Sequence, residues 1–203
     1  PEVAVTPHVD ALAMQGVVFD EAWATTSWTL PSHMTMMTGL ADTSHGVVHD
    51  YARMDPLRTT LAESFEAAGY ATAGFFSGPY LDAKYGFAEG FRYYQSGMMP
   101  HSEREQWIAE RIAELNENRK ANGQAPGDPL QDFAAMNDRL SHEDITSPRI
   151  NELGLNFLEA HTEEPFFLFL HYFDAHYDHI PEKMEPGLGT KFDPSYNGSF
   201  SPD

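Results

Sequence analysis

Ser27-Trp28-Thr29-Leu30-Pro31-Ser32-His33-Met34-Thr35-Met36-Met37-Thr38-Gly39 reads as a short helix bracketed by its own start and stop residues. Pro31 suits the first helical position, where its missing N–H costs nothing, and Gly39 suits the residue just past the end. Leu30 then takes the N-cap, where it has no side-chain oxygen for the amides of Ser32 and His33. An oxyanion in front of the helix would complete that cap, helped by the positive end of the helix dipole. Thr29 sets a hydroxyl beside such an anion. Upstream, Val17 to Ala24 reads as a strand delivering the chain to this turn. A strand, a turn and a helix are the parts of an α/β unit that can hold a nucleophile at a sheet edge. An ordinary Pro-started helix with hydroxyls at its mouth fits the same pattern.

Working outward, Thr6-Pro7 starts a helix with Val9, Leu12 and Ala13 on its apolar face and Gly16 at its end. Leu57 to Ala68 has helical spacing, Gly69 closes it, and Tyr70 to Phe76 is a short strand, which makes an α/β unit. From about 95 to 145 the chain turns polar. Ser102-Glu103-Arg104-Glu105 looks like a capping box, and Trp107, Ile108, Ile112 and Leu115 stripe the helix that follows, up to Gly123. The acids of Asp128 to Asp144 read as a solvated surface, since no EF-hand spacing is present. Ser147-Pro148 opens a helix with Ile150, Leu153, Phe157 and Leu158 on its core face.

Pro165-Phe166-Phe167-Leu168-Phe169-Leu170-His171-Tyr172-Phe173 then suits a central parallel strand covered on both faces, with His171 as a core histidine. Ligands gather beyond the carboxyl ends of such strands, which points to Asp174-Ala175-His176-Tyr177-Asp178-His179. Two aspartates and two histidines in that run suit either a metal site, with Asp174 and Asp178 as ligands, or a hydrogen-bonded polar loop.

The 203 residues are 41% hydrophobic, enough for a sizeable core. Lysines and arginines number 12 against 31 acids, a formal charge of −19, which argues against a broad nucleic-acid or anionic-membrane surface. An anionic substrate needs a local positive site, and a helix N-terminus or a divalent cation would supply it. The absence of cysteine excludes disulfides and thiol catalysis. No apolar run approaches the ~20 residues of a membrane span.

Thr29-Leu30-Pro31-Ser32-His33, followed by Met37-Thr38-Gly39 and His45-Gly46-Val47, resembles the signature of the sulfatase family in the alkaline phosphatase superfamily. Thr6-Pro7-His8-Val9-Asp10-Ala11-Leu12-Ala13 is similar to that family's lead-in, and His176 matches the histidine that follows its Pro-Phe-Phe-Leu strand. Thr29 stands where sulfatases carry the Cys or Ser that becomes formylglycine, and His33 where they carry Arg. The Gly-Lys-Trp-His motif is replaced by Gly74-Phe75-Phe76-Ser77.

The resemblance implies an α/β fold, an alkaline-phosphatase-like three-layer α/β/α sandwich on a mostly parallel sheet. Residues 1–203 would be a partial catalytic domain, with a helical excursion at about 95–145 and the main metal ligands outside this chain. It implies a hydrolase cleaving sulfate esters, with a phosphodiester or phosphonate hydrolase, or a non-catalytic anion-binding member, as alternatives. Thr29 would be nucleophile and metal ligand, His33 and His176 catalytic, and Ser32 and His176 substrate-binding. The cofactor would be a divalent metal, calcium by analogy. The substrate would be a sulfated or phosphorylated glycan or small molecule, met in the periplasm or outside the cell.

Overall fold

The computed structural model describes residues 6–174 and 176. In chain order they form α1 (Pro7–Ala13), α2 (Thr29–Thr38), α3 (Asp42–His45), α4 (Leu61–Ala67), β1 (Ala71–Phe76), β2 (Tyr93–Ser96), α5 (His101–Ala121), α6 (Pro129–Glu143), α7 (Ser147–Ala160) and β3 (Phe166–Leu170). Both β2 and β3 run parallel to β1, in the order β2-β1-β3.

β1 is buried at every position, although it reads Ala-Thr-Ala-Gly-Phe-Phe and is less apolar than β3. Its small residues let the neighbours come close: a Cβ on Gly74 would stand 2.7 Å from the Tyr94 ring. The central position expected of the Pro165–Phe173 run therefore belongs to β1, and β3 lies at an edge among the described residues.

Alternation along β1 sends its side chains to two separate cores. Ala71, Ala73 and Phe75 pack on Ile150 and Phe157 of α7, while Phe76 joins Leu30, Met34 and Met37 of α2 on the other face. There Phe167 of β3 also stacks on Phe65 of α4, with centroids 4.5 Å apart. Helix, parallel sheet and helix make three layers, the α/β architecture that the sequence led us to expect.

Several local expectations are corrected. Val17 to Ala24 forms no strand, and Trp23 is 87% exposed. A strand exists only by pairing, and residues 17–24 pair with none of β1, β2 and β3. α4 starts at Leu61, not Leu57, because Thr60 and Glu63 form a reciprocal capping box. On α5 the expected box does not form. The Pro100 carbonyl accepts the Arg104 amide at 2.9 Å, so the helix begins before Ser102. Nor is the acidic run at 128–144 simply solvated. Asp132 is 7% exposed and receives Arg119 Nη2 at 2.8 Å, which ties α6 to α5. Asp128 caps α6, and Asp144 pairs with Arg149. Among the described residues no helix is long and apolar enough to cross a membrane.

Candidate active site

α2 begins at Thr29, with Trp28 as an extended N-cap (φ −145°, ψ 162°) and no side chain capping it. The cap is thus two residues earlier than expected. Pro31 is tolerated because the first turn has no helical acceptor for its missing N–H. Leu30, Pro31, Met34 and Met37 are buried and lock the helix in the core, so Thr29, Ser32 and His33 share the opposite side of its first turn. This shift corrects the anion-cradle reading. The Ser32 amide donates to the Trp28 carbonyl at 3.4 Å, and the His33 amide belongs to the helical ladder. The amides without a helical acceptor are those of Thr29 and Leu30. Ser32 contributes only its side chain there.

His33 Nδ1 donates to the Thr29 carbonyl at 2.9 Å. A carbonyl only accepts, so the ring's lone pair is on Nε2. Edge-on to it, with centroids 5.0 Å apart, lies His171, the first residue after β3, whose Nδ1 donates to the Ser77 carbonyl at 2.8 Å. Burial lowers the His33 pKa, against the opposing effect of its bond to Thr29. Burial and then the charge of His33 bring His171 down to about 4, although its bond to Ser77 works the other way. The pair is therefore neutral around pH 7.

The His45-Gly46-Val47 block serves the same helix from behind. His45 Nδ1 accepts the Val47 amide at 3.0 Å, which puts the proton on Nε2 facing Thr35 Oγ1 at 3.2 Å. Gly46 takes φ 74°, a conformation that side chains disfavour.

The helix start lies at the carboxyl ends of the strands. Trp28 meets Tyr80, just beyond β1, edge-on at 5.3 Å, and His33 meets His171 at the end of β3. His176 sits in the turn after β3. Its amide bonds to the Phe173 carbonyl at 2.8 Å and its ring stacks on Phe173 at 4.7 Å. Thr29, Ser32 and His33 are thus gathered on one turn, and His171 joins them. His171 was legible only as a core histidine, because its contact with His33 spans two elements remote in sequence.

Asp174 is 4% exposed, and its carboxylate accepts the Thr146 amide (2.9 Å), the Thr146 hydroxyl (2.7 Å) and the Ser147 amide (2.7 Å). Burial pushes its pKa up, but these bonds at the N-terminus of α7 outweigh burial and hold it below the ordinary value. It is a helix cap from a distant loop, which removes it from the metal reading. Asp178, His179 and the turn-rich tail at 192–198 lie outside the described residues. A calcium ion takes about six to eight oxygens. Around Thr29 stand imidazole nitrogens, and among the described residues no group of three or more His, Asp or Glu could hold a metal. The described donor set does not fit calcium.

The family model described as Sulfatase matches residues 1–200. An N-acetylgalactosamine-6-O-sulfatase of Bacteroides thetaiotaomicron is 36% identical over 33% of this chain and 14% of its own length. Arylsulfatase G of Rattus norvegicus is 36% identical over 36% of this chain and 15% of its own. The phosphonate monoester hydrolase of Agrobacterium radiobacter aligns with 82% of this chain and 35% of its own at 22% identity and a TM-score of 0.46. The chain thus spans about a third of that solved hydrolase, and its matched stretches about a seventh of each curated relative. With the family match extending over nearly its whole length, the chain belongs to the sulfatase family.

Proposed function

We propose that the protein is an ester hydrolase that cleaves sulfate esters, with the Thr29 hydroxyl as nucleophile. The observation that carries this reading is the position of Thr29 as the first residue of α2, at the positive end of the helix and beside the carboxyl ends of β1 and β3. The hydroxyl oxygen attacks sulfur in line as the bond to the alcohol oxygen breaks. The Thr29 proton passes to a neutral imidazole, for which His33 with its Nε2 lone pair is the proposed base. The Thr29 and Leu30 amides face the charge that develops. Ser32 holds an ester oxygen, and His176 holds another or protonates the departing alcohol. Water then cleaves the Thr29 sulfate and restores the hydroxyl.

Sulfatase-family enzymes are generally metal-dependent. Calcium is part of this reading, but among the described residues no group of three or more His, Asp or Glu could hold it, so no step is routed through it. An anionic ester is the proposed substrate, and the periplasm or the extracellular space the proposed location, both by family analogy. One residue favours a second reading: Thr29 is a plain hydroxyl where the family has an aldehyde precursor, which suits phosphodiesters or phosphonates. Turnover of an aryl sulfate, a phosphomonoester and a phosphodiester, compared for wild type and Thr29→Ala, tests both. Dominant sulfate hydrolysis that Thr29→Ala abolishes supports the first reading, and dominant phosphodiester hydrolysis the second. Undiminished turnover in the variant overturns both, and anion binding without turnover makes the protein a binder.

A further inference from the structure

The two imidazoles at the start of α2 are held in the same way. His33 Nδ1 donates to the carbonyl of Thr29 on its own helix, and His171 Nδ1 to the carbonyl of Ser77, the residue after β1. A carbonyl only accepts, so each bond fixes one tautomer and leaves the lone pair on Nε2. Neither Nε2 has a hydrogen-bond partner among the described residues. Both rings are half-buried, so an ion can reach them from solvent.

Histidine ligates metals in this form, because a backbone acceptor on one nitrogen orients the ring and raises the basicity of the other. The rings lie with centroids 5.0 Å apart and planes at 85°. An ion ~2.0–2.1 Å from each Nε2, at a tetrahedral angle, sets two imidazole centroids roughly 5 Å apart. Their backbones are fixed as well. Leu30 and Met34 bury α2 in the core, and the His171 amide and carbonyl bond to the Phe75 carbonyl at 2.9 Å and the Ser77 amide at 3.2 Å. Imidazole nitrogens suit zinc, copper and nickel, whereas calcium takes oxygens. An edge-to-face contact between the rings has the same spacing, and removal of the lone pairs tells the two apart.

We propose that His33 and His171 form a two-imidazole site for a divalent ion of the zinc and copper class, bound through both Nε2 atoms with water in the remaining positions, and that filling it inhibits ester hydrolysis. Two protein donors leave coordination positions open and make the site reversible, unlike a closed structural one. The inhibitory half rests on the proposed role of His33 as base, since a lone pair held by the ion is not available to the Thr29 proton. The binding half stands without that role.

The test is run on the full chain, first without turnover. Zn²⁺ is titrated calorimetrically into wild type, His33→Asn, His171→Asn and, as a control, His101→Asn at the exposed start of α5. Asn keeps a donor where Nδ1 stands and removes Nε2, and circular dichroism establishes which variants are folded. The expected result is a one-equivalent site that His33→Asn and His171→Asn each weaken about tenfold or more and His101→Asn leaves unchanged. Electron paramagnetic resonance of the Cu²⁺ form should show two nitrogen ligands in wild type and one in either folded variant. Absence of such a site, or wild-type binding in a folded His33→Asn or His171→Asn, reduces the pair to a ring contact and overturns the proposal. If neither variant folds, the nitrogen count of wild type decides. In the second arm, turnover of the ester that wild type cleaves is followed as Zn²⁺ is added. Inhibition over the concentrations at which the site fills is expected. Full turnover with the site filled overturns the inhibitory half and counts against His33 as base. In a protein that turns over no ester, zinc bound through both rings sustains the site, and the inhibitory half falls with the Thr29 reading.

Discussion

Ser77 and His171, 94 positions apart, hold each other across the ends of β1 and β3. The Ser77 amide and hydroxyl donate to the His171 carbonyl at 3.2 and 3.1 Å, and His171 Nδ1 donates back to the Ser77 carbonyl at 2.8 Å. Ser77 Oγ also accepts the Phe173 amide at 2.8 Å, so the turn that carries His176 is anchored to the end of the central strand.

Burial of His171, against the opposing effect of its bond to Ser77, gives stability a pH dependence. His171 has a pKa of about 4 in the folded protein, against an ordinary value of 6.5. The unfolded chain therefore binds the extra proton first. The stabilisation is complete above pH 6.5 and is lost as pH falls from there through about 4. Denaturant unfolding should show the protein about 2 kcal/mol less stable at pH 5 than at pH 7 from this group alone. His171→Gln should flatten that slope, and an unchanged slope in the variant would contradict the assignment.

Asp174 should be costly to remove. Asp174→Ala leaves the Thr146 and Ser147 donors at the start of α7 without their buried acceptor, and a loss of about 2 to 4 kcal/mol is expected. The Asp174 pKa is below its ordinary 3.8, so its contribution is present above that pH and lost as pH falls through the folded value. Thermal melts of wild type and variant at pH 7 and pH 3 check this. The difference between the two proteins should shrink in acid.

His176→Ala should leave the melting temperature nearly unchanged, since the residue is half-buried in a turn, while turnover falls. If His176 is the acid, the loss should be larger for esters with poor leaving groups. Equal losses across a leaving-group series would leave it a binding role only.

Calorimetric titration of the full chain with calcium should reveal no site tighter than roughly millimolar, because imidazoles and one hydroxyl do not make an oxygen cage. Micromolar binding would show that carboxylates gather in residues the described structure does not cover.

Periodicity and punctuation determined much of this molecule. The apolar run Phe166–Leu170 marked a parallel strand, Ile150 and Phe157 marked the buried face of α7, and Pro31 with Gly39 marked the helix that carries Thr29. These signals are local, because hydrophobic spacing and backbone restriction act within a few residues. Long-range packing decided the rest. Which strand is central turned on the closeness of Gly74 to Tyr94, which no run of apolar residues reports. Val17 to Ala24 had strand composition but pairs with no strand of the described sheet. Thr29 and His33 were legible as one helix turn, whereas the meeting of His33 with His171 and the capping of α7 by Asp174 join residues far apart in the chain. Sequence patterns specify which face of an element is buried; what that face meets is set by the packing of elements across the sheet.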